Sequence, residues 1–284
     1  MSATELVQLD NFSSIFSLRG KVAVVTGGSR GLGLHAASGF LQSGCAKVYL
    51  IARTESDVNA AADALNNLSA VGKEPNAQAI PIVGDISKPG ECGRVAAEVA
   101  KTTDHVDILL ANAGATYIAP FDDYTEDEFA RVMNVNVNSV FFSIQKFTPL
   151  LAAGGTVGDP SRVLMVSSVA GVVIGDVGPY GTYAYAASKA AVVHLMQNLA
   201  VELGPRHITV NVVAPGIVPS KMSASLMDRH GGLEEVAKLV PDQKLGAPED
   251  IAGVMVFLSS RAGKHINGAT IVLDGGSFLV RGCA

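Results

Sequence analysis

The chain alternates between short apolar runs and longer stretches in which apolar residues recur every three or four positions. Seven runs stand out, at 22–26, 48–52, 79–83, 108–111, 162–166, 209–213 and 271–273. Several are near-continuous Val, Ile and Leu without in–out alternation. Parallel strands covered on both faces read this way, because neither face needs polar residues. Between the runs, 33–43 opens after glycines and ends at Gly44. The stretch 55–69 carries Val58, Ala61, Ala62, Leu65 and Leu68 at helical spacing. The stretch 184–203 is long, apolar on most sides, and stops at Gly204-Pro205, a helix-ending pair. Strands alternating with helices predict βαβ units and an α/β fold with a doubly wound, seven-stranded parallel sheet.

No long linker, repeat or low-complexity tract interrupts the pattern, so one domain is expected over 18–284. Residues 1–17 read as a polar N-terminal extension, with an amphipathic patch of Phe12, Ile15 and Phe16 running on to Leu18. The stretches 70–76, 154–161 and 174–182 read as loops or insertions. Residues 215–245 have mixed polarity and contain Gly231-Gly232. They read as a mobile helical loop over a site, with the substrate loop proper at about 216–245.

Composition narrows the classes. Charged residues are only 17% of 284, below the roughly one quarter of an average soluble domain, and hydrophobic residues are 48%. A disordered chain would be richer in charge and poorer in aliphatics. The net charge of −5 and the scattered basic residues argue against nucleic acid as a partner. No apolar stretch free of polar groups reaches the roughly 18 residues of a membrane span. Glu5 and Asp10 stand where a secretory leader would be apolar. Cys45, Cys92 and Cys283 are odd in number and far apart, which suggests a reducing, cytoplasmic setting. The six histidines have no metal-ligand spacing, and no metal is expected. The low charge leaves two explanations, a doubly covered sheet or surface hidden against other subunits.

After the first run stands Thr26-Gly27-Gly28-Ser29-Arg30-Gly31-Leu32-Gly33. Glycines at 27, 31 and 33 permit a tight turn and close backbone approach to a pyrophosphate. The following helix offers free N–H groups and the positive end of its dipole. An acid about 20 residues on would bind a ribose hydroxyl, but that position is Arg53. Arg53 and Arg30 can instead clamp a 2′-phosphate, which favours NADP(H) over NAD(H). The alternative leaves both arginines as solvated surface residues. Asp85 suits either the adenine amino group or a cap before Ser87-Lys88. Asn112-Ala113-Gly114 ends the fourth strand with small residues over which a cofactor can lie.

Tyr185-Ala186-Ala187-Ser188-Lys189 sets a phenol and an ammonium one helical turn apart. The ammonium is expected to lower the phenol's pKa and poise Tyr185 as a general acid or base. Ser167-Ser168 follows the fifth strand, where one hydroxyl can polarise a substrate oxygen. Asn136 can hold a water that relays protons to Lys189, bond buried backbone, or do both.

In order and spacing these motifs resemble the short-chain dehydrogenase/reductase family over about residues 18–278. They are Thr26-Gly27-x-x-x-Gly31-x-Gly33, Asn112-Ala113-Gly114, Asn136, Ser168, Tyr185-x-x-x-Lys189, Pro215-Gly216 and Asp274-Gly275-Gly276. Within it, the branch of 3-oxoacyl-acyl carrier protein reductases of the rhamnolipid-synthesis type is the most similar. The resemblance implies a single-domain Rossmann fold and a catalytic tetrad of Asn136, Ser168, Tyr185 and Lys189, with pro-S hydride transfer. It implies cofactor contacts from Ser29, Arg30, Leu32, Asp85, Ile86 and the Asn112–Ala113–Gly114 run. Pro215, Gly216, Val218 and Ser220 are implied on the nicotinamide side, along with Tyr185 and Lys189. Ser168 and Tyr185 stand 17 apart, more than in many relatives. Tyr180 and Tyr183 lie nearby, but neither has a lysine four residues on.

The expected activity is NADPH-dependent reduction of a ketone, 3-oxoacyl, polyketide-like or otherwise bulky, to a secondary alcohol. The pocket is expected from 115–120, 169–183 and 216–240. Alternatives are a secondary-alcohol or hydroxysteroid dehydrogenase, and a non-redox member of the fold. In this family the helix at 184–203, the one near 136–147 and the segment 274–279 pack against symmetry mates. A homotetramer is therefore expected, with a dimer as the fallback.

Overall fold

The computed structural model describes Val7, Leu9 and residues 11–280. Cys283 lies outside the described residues, as do 1–6, 8 and 10 of the N-terminal extension. All seven expected strands form, each within two residues of its expected bounds. They are β1 (Val22–Thr26), β2 (Lys47–Ala52), β3 (Gln78–Val83), β4 (Ile108–Ala111), β5 (Ser161–Val166), β6 (Ile208–Pro215) and β7 (Thr270–Leu273). They make one parallel sheet in the order β3-β2-β1-β4-β5-β6-β7. The central strands are buried along their whole length, which explains their unbroken apolar sequences. At one edge, β3 exposes Gln78, Pro81 and Val83. Pro81 is tolerated because edge strands have unpaired N–H positions.

Helices cover both faces. On one, α1 (Gly31–Gln42), α2 (Glu55–Asn66) and α9 (Pro248–Ser259) pack over Ala23, Val25, Leu50 and Leu164. On the other, α3 (Glu91–Ala100), α5 (Ser139–Gly154) and α6 (Tyr183–Leu203) pack over Val24, Leu109, Val163 and Val210. The short helix α4 (Glu126–Met133) precedes a π-helical turn at Asn134–Asn138 that leads into α5. Residues 215–245 contain the two short helices α7 (Ala224–Arg229) and α8 (Leu233–Lys238).

Two helix bounds differ from expectation. Helix α1 starts two residues earlier, at Gly31, with Arg30 as its N-cap. Helix α2 ends at Asn66, three residues before the expected end. There the Asn66 side chain pairs with the backbone of Ala79 at 2.8 and 3.0 Å, and Lys73 takes up the carbonyls of Leu65 and Leu68.

The amino edge of the sheet is closed by charge pairing. Lys21 Nζ lies 3.3 Å from Asp107 and 3.0 Å from Asp159, and Arg162 lies 2.8 Å from Asp159. The carboxyl edge is left open.

Candidate active site

Strand order reverses at β1, with β2 on one side and β4 on the other. Crossovers leave in opposite directions there, so a crevice opens beyond the carboxyl ends. The glycine loop fills the β1 side. Gly27 and Gly31 have φ of 65° and 53°, in the region that suits glycine. A Cβ on Gly33 would collide with the Gly27 carbonyl and stand 2.6 Å from the Asn112 amide.

Asn112 holds this turn. Its amide donates to the carbonyls of Thr26 and Gly27 at 3.0 and 3.1 Å. In return Thr26 Oγ1 accepts from the N–H groups of Asn112 and Ala113 at 3.0 and 3.1 Å. The Asn112 side chain therefore shapes the cradle. Arg30 and Arg53 stand exposed beside it, each without an ion-pair partner among the described residues. Asp85 Oδ1 accepts from the Ser87 N–H and hydroxyl at 3.2 and 2.6 Å, which closes a turn; the helix that follows starts at Glu91 with Gly90 as its N-cap.

The crevice continues into a cleft of about 210 Å³. Leu32, Asn112, Gly114, Ser168, Tyr185, Lys189, Pro215, Gly216, Val218 and Ser220 all line it, as the sequence grouped them. Gly27, Ser29, Arg30, Gly31, Gly33, Arg53, Asp85, Ile86, Ala113 and Asn136 do not. A wider, open depression of about 530 Å³ lies at the amino edge, beside Val22, Lys47 and His105, and holds none of the expected site residues.

Of the two serines after β5, Ser167 is committed: its hydroxyl donates to the Lys189 carbonyl at 2.7 Å. Both serines line the cleft, and Ser168 is the one whose side chain bears on Tyr185. Tyr183 packs edge-on against Phe121 and Tyr124, and Tyr180 lies under Arg229, so neither competes with Tyr185. Helix α6 has no side-chain cap at Thr182. Instead the Tyr124 hydroxyl accepts from the Ala184 N–H at 3.2 Å, which holds the start of the helix that carries Tyr185.

The expected lowering of the Tyr185 pKa is corrected. Burial pushes the phenol up, and the Ser168 side chain opposes this only in part. Lys189 Nζ does not point at the phenol. It donates to the Val166 carbonyl at 2.8 Å, 5.6 Å from the Tyr185 ring centre. Burial pulls Lys189 down to about 8. Two buried groups thus move toward their uncharged forms.

Asn136 is fully engaged. Its Oδ1 accepts from the Ala115 N–H at 2.8 Å. Its Nδ2 donates to the Ala115 carbonyl at 2.9 Å and to Ser188 Oγ at 2.8 Å. The amide bonds the buried backbone of Ala115 and the Ser188 hydroxyl. Sequence reasoning missed that turn, Ser188 and the Tyr124 cap. It placed the segments 169–183 and 216–240 at the pocket but did not single out Asp176 and Arg229, which line the cleft 53 residues apart. Asp176 is marked only as an isolated charge in an apolar, glycine-containing loop, and nothing local marks Arg229.

Among the described residues, no group of three or more His, Cys, Asp or Glu side chains is placed to hold a metal. No described helix is long and apolar enough to cross a membrane.

A family model described as Enoyl-(Acyl carrier protein) reductase matches residues 27–277. The chain is 39% identical to the Rhamnolipids biosynthesis 3-oxoacyl-[acyl-carrier-protein] reductase of Pseudomonas aeruginosa, over 93% of this chain and 98% of that one. It is 35% identical to the short-chain dehydrogenase/reductase PhomF of Diaporthe leptostromiformis, over 94% of each. The Pseudomonas aeruginosa RhlG/NADP active-site complex superposes with a TM-score of 0.85 at 35% identity, covering 93% of this chain and 99% of that one. With its parallel sheet and glycine turn, the chain belongs to the short-chain dehydrogenase/reductase family and is an oxidoreductase.

Proposed function

We propose that the enzyme reduces a ketone to a secondary alcohol with NADPH, with Tyr185 as proton donor. The observation that carries this is a phenol kept protonated by burial in the same cleft as Ser168 and Lys189. The residues fit the cofactor: the glycine cradle admits no Cβ at Gly33, and Arg30 and Arg53 are two free guanidinium groups beside it. The relative solved as an NADP complex supports that choice. When bound, the nicotinamide supplies the hydride.

The protein's part follows from its side chains. Ser168 donates a hydrogen bond to the substrate oxygen and polarises the carbonyl. Tyr185 gives its proton to that oxygen as negative charge develops. Lys189, charged below about pH 8, stabilises the phenolate that remains. Gly114 keeps the floor open, since a Cβ there would stand 3.6 Å from Lys189 Nζ.

The substrate is a bulky, mainly apolar ketone, which suits a wall that includes Ile118, Val169, Ile217, Met222 and Leu226. A 3-oxoacyl chain fits that description, in line with the 39%-identical relative's name. One catalytic domain spans 18–284, with the segment 216–245 over the cleft. The enzyme assembles as a homotetramer: Phe142, Val201 and Leu279 leave apolar surface exposed on the segments expected at the contacts. It acts in the cytoplasm, in keeping with free, buried Cys45 and Cys92.

Tyr185→Phe tests the mechanism. Turnover should fall by about a thousandfold while NADPH affinity stays within about twofold. Unimpaired turnover overturns the reading. A parallel titration in which NADH binds more tightly than NADPH overturns the assignment of Arg30 and Arg53.

A further inference from the structure

The outer wall of the cleft joins two segments far apart in sequence. Asp176 comes from the insertion at 174–182, and Arg229 from the end of α7. The Arg229 guanidinium lies 4.0 Å from Asp176 Oδ2 and 4.2 Å from the centre of the Tyr180 ring. Its Nε donates to the Ser225 carbonyl at 3.1 Å. The side chain is only 19% exposed. Besides Lys189, Arg229 is the one cation among the described residues that lines the cleft, and its charge already faces Asp176 and the Tyr180 ring.

We propose that Arg229 and Asp176 act together as the determinant of substrate charge. As a neutral pair they admit uncharged ketones and turn away ketones that carry a carboxylate at the far end. The inference rests on the reductase reading above and specifies its substrate class. A carboxylate reaching this wall meets Asp176, a like charge, beside the cation it seeks. Held at Arg229, it would lie against Asp176 and compete with Asp176 and the Tyr180 ring for the one guanidinium charge. The 4.0 Å separation is long for a hydrogen bond, so Asp176 acts through its charge more than through a shared proton.

The opposite rim adds the same bias. Thr116 and Ile118 line the cleft, and Phe121 packs on Tyr183. The chain that follows carries Asp122, Asp123, Glu126, Asp127 and Glu128. Arg131, the cation of this stretch, is held by Glu128 at 2.6 Å and donates to the Thr116 carbonyl at 3.2 Å. On this stretch Arg131 is thus already committed, as Arg229 is on the other.

The test compares kcat/KM for a medium-chain keto acid and its methyl ester, read by NADPH oxidation. The wild type should prefer the ester by about tenfold. Asp176→Asn keeps the shape and frees the cation, so the preference should shrink or reverse. Arg229→Gln leaves Asp176 uncompensated, so the preference for the ester should grow. The double variant should return toward the wild-type ratio. A loss of packing alone would move both single variants the same way, and that result overturns the proposal. So does a wild type that prefers the acid. Both substrates share one readout, so turnover with the wrong order of preference breaks this inference alone. Silence with both breaks the reductase reading on which it stands.

Discussion

The two edges of the sheet treat charge in opposite ways. At the amino edge Lys21, Asp107, Asp159 and Arg162 neutralise one another, and Arg162 is 1% exposed. At the carboxyl edge Arg30 and Arg53 have no ion-pair partners among the described residues, and Tyr185 and Lys189 are shifted toward neutrality by burial. The first arrangement is closed: every charge already has its complement. The second is open, and its groups find their complement in a ligand. Paired buried charges of the first kind hold a fold in register. Perturbed, uncompensated groups in a cleft mark the site. The contrast separates residues that serve stability from residues that serve chemistry within one sheet.

The largest effect should come from the closed edge. Asp159→Ala leaves the buried Arg162 guanidinium without its anion. Losing one partner of a buried pair costs about 3 kcal/mol, at the low end because Asp159 itself is partly exposed. Thermal unfolding should shift down accordingly, with NADPH affinity of the folded enzyme unchanged. A weakened NADPH affinity at unchanged stability would erase the division between the edges.

The open edge should show the converse. Gly33→Ala drives a methyl group into the Gly27 carbonyl and the Asn112 amide. Overpacking of this kind costs about 1–3 kcal/mol, and here it falls on the phosphate cradle. NADPH affinity should drop by up to about a hundredfold, as measured by fluorescence titration. An unchanged affinity would show that the cradle does not meet the cofactor.

The same division explains what the sequence could disclose. Strands buried on both faces must be apolar throughout, so β1, β4, β5 and β6 were legible almost to the residue. The glycine turn was legible because backbone geometry restricts which residues fit. Tyr185 and Lys189 were legible because helical spacing brings them together. Pairings across the chain had no such local rule. Nothing in the sequence joins Asp176 to Arg229, Tyr124 to Ala184, or Asn136 to Ser188. The direction of the Tyr185 shift was misread for a related reason. Spacing showed an ammonium nearby, but desolvation depends on the whole enclosure, and the Lys189 proton donor turns to Val166.

The pH profile follows from that enclosure and is the mildest test of the contrast. Burial has lowered Lys189 to about 8 and raised Tyr185. As pH rises through about 8, Lys189 loses its proton first, while the phenol keeps its own. Proton donation to a ketone remains possible, but the phenolate it leaves has lost its neighbouring positive charge. Reduction, followed as kcat/KM for the ketone, should therefore decline on the alkaline side with an apparent pKa near 8. Lysine at its ordinary value would keep the rate flat well above that point. Alcohol oxidation runs the other way, because it needs Tyr185 to accept a proton, and a raised phenol pKa delays that to higher pH. Opposite slopes in the two directions are expected of an open edge whose groups are tuned by burial. A flat reduction profile through this range would mean that Lys189 keeps its charge as securely as the ion pairs of the closed edge do.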